Sequence, residues 1–107
     1  MLTDTRPCPR FALPPPDVTD ATVIAALLAD RTRAGILALL RDGPHCVCEM
    51  AATFGERENN VSNHLAKLRD AGLVRASRHD GDARWVYYER DEDAIARAAA
   101  TLRELLR

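Results

Sequence analysis

Between Cys46 and Arg90 the hydrophobic period changes once, from helical to alternating, and that change leaves few folds open. Val47, Met50, Ala51 and Phe54 recur at helical spacing within the segment from Cys46 to Phe54, and Gly55 stops them. A short polar turn, Gly55-Glu56-Arg57-Glu58, leads to a second helical stripe of Val61, Leu65 and Leu68, ended by Gly72. The pattern then alternates. Residues 73–79 and 84–90 are rich in β-branched and aromatic side chains and flank Asp80-Gly81, a hairpin-turn signal. Two helices joined by a tight turn and followed by a hairpin predict a helix-turn-helix with a β-wing, mainly α in class.

The flanks complete one domain. Residues 1–16 hold five of the six prolines (Pro7, Pro9, Pro14, Pro15 and Pro16) and form an extended arm. Residues 17–107 form the winged helix-turn-helix and dimerisation domain. Val23, Ala26 and Leu27, beside Ile24 and Leu28, predict a first amphipathic helix with Asp17, Thr19 or Asp20 as its cap. Asp30 caps the next helix, which Ile36, Leu37, Leu39 and Leu40 make apolar on most sides, and Gly43 and Pro44 end it. In the last helix Ile95, Ala98, Ala99, Leu102, Leu105 and Leu106 share a face, with Asp91, Glu92 and Asp93 at the start and Arg107 at the end, as the helix dipole favours.

The second helix of the reading pair carries the functional signal. At ~100° per residue, Val61, Leu65, Leu68 and Gly72 fall in one narrow sector. The opposite sector holds Asn59, Ser62, Asn63, Ala66 and Lys67, with Asn60 beside it. These side chains are short, polar and free of acid, so they suit a major groove: amides pair with base edges, and Ser and Lys reach phosphate. An ordinary solvated face carries more Glu and Lys. His64 lies on the flank of the core stripe, where it packs or orients a neighbour or touches DNA.

Global charge does not carry this reading, since the net charge is −1. Locally, residues 57–90 hold seven basic and five acidic side chains, a slight positive excess. Arg78, His79 and Arg84 on the wing are placed to flank phosphates, although Asp80 and Asp82 oppose insertion of its tip. One such unit covers only a few base pairs, so a two-fold dimer on an inverted repeat of double-stranded DNA is expected. Ile24 and Leu28 of the first helix and Ile95, Ala98, Leu102 and Leu105 of the last supply the homodimer interface. The plainer alternative is that both helices merely cover the monomer core.

Three cysteines, Cys8, Cys46 and Cys48, do not make a disulfide framework. The N-terminal segment has no apolar core of a secretory signal, and no apolar run approaches the ~20 residues of a membrane span, so a cytoplasmic chain with reduced thiols is expected. In a regular helix Cys46 and Cys48 would point about 200° apart and could neither share an ion nor bridge each other. With Cys46 at or before the first turn, both sulfurs would sit at a helix N-terminus, where the dipole favours thiolate, the form that binds soft metals. Two small core residues are the bland alternative, and spacing alone leaves both open.

Several segments together resemble a known family. Residues 28–40, then Cys46-Val47-Cys48-Glu49-Met50, then residues 59–74 and 84–89, resemble the ArsR/SmtB metalloregulatory repressors over about three-fifths of the chain. Ser62, His64, Leu65 and Leu68 stand at the positions of that family's recognition helix, and Glu49 stands where its thiolate motif usually has Asp. The resemblance implies a winged-helix dimer that represses its own operon and leaves DNA when an ion binds. It implies Cys46 and Cys48 as ligands, with Cys8, on the proline-rich arm, as the third. Three sulfurs suit As(III) or Sb(III), with Cd(II) or Pb(II) as the alternatives; Zn(II) prefers four ligands. His45 adjoins Cys46 as a fourth donor if one is needed. A second family site near the C-terminus, built on carboxylates and histidines, is not expected, because no histidine follows His79.

No Gly-rich phosphate loop and no Ser-His-Asp or Cys-His constellation is present, so an enzyme is not expected. The competing readings are a thiol redox sensor on the same fold, with Cys8 bridging either partner, and a winged-helix protein-interaction module.

Overall fold

The computed structural model describes residues 13–78 and 86–107. Its elements run α1 (Thr19–Leu28), α2 (Arg31–Leu39), a 3-10 turn (Leu40–Asp42), β1 (His45–Cys46), α3 (Val47–Phe54), α4 (Glu58–Asp70), β2 (Val74–Arg78), β3 (Val86–Arg90) and α5 (Glu92–Leu106). This is the expected winged helix-turn-helix, with one addition. The sheet has three strands in the order β1-β3-β2, because His45 and Cys46 pair antiparallel with Tyr88 and Tyr87. Two residues are too few to show an alternating pattern, so β1 was invisible in the sequence.

Local chemistry explains the helix ends. Asp30 Oδ1 accepts the N–H groups of Thr32 and Arg33 at 2.9 and 3.0 Å and so starts α2. Asp91 does the same for α5 through the Ala94 N–H at 3.0 Å. Asp17 serves α1 one step earlier than a standard cap: its carboxylate takes the Thr19 N–H at 3.0 Å, while Val18 at the cap position makes no side-chain bond. Gly55, at φ 63°, ends α3 in the left-handed conformation that a side chain disfavours. That glycine allows α4 to begin only three residues later.

The core lies where α2, α3 and α4 meet the sheet. Ile36, Met50, Val61, Leu65 and Leu68 are fully buried, with Leu37, Leu40, Leu73 and Val74 around them. The stripe Val61, Leu65 and Leu68 is thus consumed by the core, which turns the opposite face of α4 to solvent. α1 and α5 pack on each other at one side, and among the described residues each contributes one buried residue, Ala21 and Ala94. The wing tip, with His79, Asp80, Gly81, Asp82 and Arg84, and residues 1–12 of the arm, Cys8 among them, lie outside the described residues.

Candidate functional site

Cys46 ends β1 and occupies the cap position of α3, with extended backbone angles of φ −88° and ψ 165°. Cys48 lies in the first turn of α3. Because Cys46 is extended rather than helical, the two side chains converge. Their sulfurs stand 3.1 Å apart. This is the arrangement expected with Cys46 before the first turn: the 200° separation holds only within a regular helix, and across the strand-helix junction the two sulfurs lie close enough to meet.

Glu49 builds that junction. Its Oε1 accepts the Cys46 N–H at 3.1 Å, and the Cys46 sulfur meets the Glu49 N–H in return, as in a capping box. The Cys46 N–H holds the Glu49 carboxyl below its ordinary value. Cys46 itself is buried, and burial first, then the Cys48 thiol and Glu49, push its thiol up to about 11. For Cys46 this runs against the expectation that the helix N-terminus favours thiolate. Burial, the Cys48 thiol and the Glu49 carboxylate disfavour the charged Cys46 thiolate more than the Glu49 N–H favours it. Cys48 is half-buried.

The donor set fits a soft, sulfur-seeking ion and not a hard cation. Among the described residues no group of three His, Cys, Asp or Glu converges. The described site therefore offers two sulfurs. His45 is half-buried and its Nδ1–H donates to the Gly43 carbonyl at 2.9 Å, which leaves Nε2 without a partner among the described residues.

On α4, Asn59, Asn60, Ser62, Asn63 and Lys67 are all exposed. His64 is not part of that face. Its half-buried ring receives Arg33 Nη1 at Nδ1, 3.2 Å away, and holds Nε2 3.8 Å from Asp30 Oδ1. Arg33 only donates, so Nδ1 accepts and the ring proton of the neutral form lies on Nε2, toward Asp30. Arg33 also donates to the Leu27 carbonyl at 2.7 Å and the Ala26 carbonyl at 3.3 Å, satisfying the open end of α1. One guanidinium thereby ties α1 to the reading helix. The sequence offered no clue beyond a cation just inside a capped helix. Arg78 lies on β2 opposite Val86, and Arg84 is outside the described residues.

The six residues expected at a dimer interface divide. Ile95, Ala98 and Leu28 pack partly against the core, so the plainer reading holds for part of their surface. Together with Ile24 and Leu102 they also line an open apolar groove of about 160 Å³. Leu105 remains 45% exposed, and Val23 on α1 is 58% exposed.

Comparison with known proteins places this architecture. Residues 30–76 match the model of the bacterial regulatory protein arsR family. The chain is 38% identical over 82 residues to the arsenical resistance operon repressor of Escherichia coli, covering 76% of this chain and 68% of that one. The chain belongs to the ArsR family. It is also 44% identical over 75 residues to the HTH-type transcriptional regulator CmtR of Mycobacterium tuberculosis, covering 70% of this chain and 61% of that one. Among solved structures, the homodimeric winged helix-turn-helix DNA-binding domain of a possible ArsR-family regulator from Mycobacterium bovis superposes with a TM-score of 0.62 at 29% identity, covering 76% of this chain and 73% of that one. As an ArsR-family protein the chain is a DNA-binding transcriptional regulator and not an enzyme.

Proposed function

We propose that this ArsR-family chain is a metal(loid)-responsive repressor that binds an inverted-repeat operator as a homodimer and is released by As(III) or Sb(III) held on Cys46, Cys48 and Cys8. The observation that carries the reading is the meeting of two sulfurs at 3.1 Å at the start of the helix before the reading helix. The relative named as an arsenical resistance operon repressor supports the choice of ion. Three thiols complete a pyramidal site, whereas Zn(II) asks for a fourth donor. Cd(II) and Pb(II) are the competing inducers. The homodimeric relative and the apolar groove between α1 and α5 support dimerisation through those helices. Residues 1–16 act as the arm that brings Cys8, residues 17–107 as the reading and dimerisation unit, and the repressor works in the cytoplasm.

The sulfurs are well connected to both reading elements. Cys46 belongs to β1, whose ladder partner β3 is a wing strand, and Cys48 belongs to α3, which packs on α4. The chain engages DNA through the α4 face of Asn59, Asn60, Ser62, Asn63 and Lys67, with Arg78, and Arg84 beyond the described residues, flanking phosphates. His64 acts by holding α4 against α2. Drawing a third thiol onto the pair strains the junction at Cys46 and changes the pose of α4, the wing, or both. A coupling of ~1–3 kcal/mol per site between ion and operator binding is typical of such switches.

The test is fluorescence anisotropy on an operator duplex selected by the protein from random DNA. Arsenite, antimonite, Cd(II), Pb(II) and Zn(II) are titrated into complexes of wild type, Cys8→Ser and Cys48→Ser. Release by arsenite and antimonite that is lost in both variants is expected. Release by Cd(II) or Pb(II) alone would keep the repressor and change the inducer. Release by peroxide and by none of the ions would replace metal sensing with thiol oxidation.

A further inference from the structure

The turn before α4 holds a carboxylate that sequence reasoning left as mere polarity. Glu56 is half-buried, and its two oxygens are both engaged. Oε1 accepts the Thr32 hydroxyl of α2 at 3.2 Å, and Oε2 accepts the Asn60 side-chain amide of α4 at 3.3 Å. The Glu56 N–H is in turn held by the Ala51 carbonyl at 3.0 Å. The carboxylate is therefore anchored from α2 and α3 and presented to the first turns of α4.

An ionised carboxylate can only accept. The end of the Asn60 amide that faces Glu56 must then be its NH2 group, so the amide cannot turn over without placing oxygen against oxygen. A free Asn is a two-way reader, able to offer either its oxygen or its N–H outward. Here the oxygen is the end left to face away. Asn60 is exposed and lies one turn from Asn63 and beside the face of Asn59 and Lys67.

We infer that Glu56 is a specificity-determining residue: by holding the Asn60 amide in one sense, it makes this position of α4 a hydrogen-bond acceptor for a base amino group. In the major groove only adenine N6 and cytosine N4 donate, whereas guanine and thymine present acceptors at the corresponding edge. The contacted strand should carry adenine or cytosine at that step, in preference to guanine or thymine. This rests on the proposed entry of α4 into the groove. One hydrogen bond discriminates by about three- to tenfold. Glu56 is a positioning residue, since it reads the base only through Asn60.

The experiment uses the full chain and a duplex selected by wild type from random DNA, with each half-site position varied through all four bases. Wild type should favour adenine or cytosine at one position by about three- to tenfold. Asn60→Ala should abolish the preference there and nowhere else. Glu56→Gln should abolish it at the same position while the affinity for the other variants stays within twofold, because a glutamine can partner either sense of the amide. A uniform loss across all sequences in Glu56→Gln, or an unchanged preference, overturns the inference. Asn63→Ala and Lys67→Ala separate the two layers. If neither weakens binding to any duplex, α4 does not enter the groove and the underlying reading falls. If both weaken it while Glu56→Gln leaves the base preference intact, only the role of Glu56 falls.

Discussion

Gly35 sits inside α2, and its helix neighbours alone would argue for replacing it. A Gly-to-Ala change in a helix interior usually stabilises by about 1 kcal/mol. The tertiary contact reverses that sign. A Cβ built on Gly35 would stand 2.7 Å from Phe54 Cε1 and 3.2 Å from Cζ, against the ~3.5–4.0 Å that carbon pairs prefer. The ring must retreat by about 1 Å or swing outward. Phe54 is the last residue of α3 and packs against the core while half-exposed. Full burial of such a side chain contributes ~1.5–3 kcal/mol, and overpacking costs ~1–3 kcal/mol. Taking about 2 kcal/mol for the displaced ring and returning about 1 kcal/mol from propensity, Gly35→Ala should destabilise by about 1 kcal/mol. The check is urea unfolding at fixed protomer concentration, since a dimer's stability depends on it. Phe54→Leu, which removes the ring edge, should let Gly35→Ala regain the propensity gain, so the double-mutant cycle shows coupling between the sites. Stabilisation by Gly35→Ala in the wild-type background would refute the reasoning, because it would mean that the ring retreats freely.

Three further outcomes are expected. The Arg33 N–H, foremost, holds the Asp30 carboxyl below its ordinary value of 3.8, so its cap contribution is complete above that value and is lost as pH falls through the lowered one. Asp30→Asn should therefore flatten the loss of stability below about pH 4, measured by thermal melts across acid pH; an unchanged acid slope would remove Asp30 from the account. Lys67→Ala should weaken operator binding about equally on all sequences and lower the slope of log K against log salt by about one, whereas a sequence-selective effect would contradict a phosphate contact. Arsenous acid carries three hydroxyls that leave as water with the three thiol protons, whereas Cd(II) must expel protons to solvent; Cd(II) affinity should rise up to about tenfold per proton per pH unit between pH 6.5 and 8, and arsenite affinity should stay nearly flat. Equal slopes in isothermal titration would contradict a Cys46 thiol that keeps its proton in the free protein.

The order of helix, turn, helix and hairpin was legible because burial demands periodicity: Val61, Leu65 and Leu68 must share a face to reach the core, and the polar face of Asn59, Ser62, Asn63 and Lys67 follows by geometry. Caps were legible for the same local reason, since Asp30 and Asp91 bond groups two or three residues away. What the tertiary structure alone decided involves partners distant in the chain. β1 exists because Cys46 and His45 meet Tyr87 and Tyr88, which no local pattern announces. That pairing holds Cys46 extended and brings its sulfur to Cys48, and burial then raises its thiol where the helix end by itself would lower it. His64, whose place on the helix left open packing against a neighbour or touching DNA, pairs with Arg33, 31 residues earlier. Periodicity reports which side of an element is buried. It does not report against whom, and the chemistry of a cysteine, a histidine or an amide depends on that neighbour.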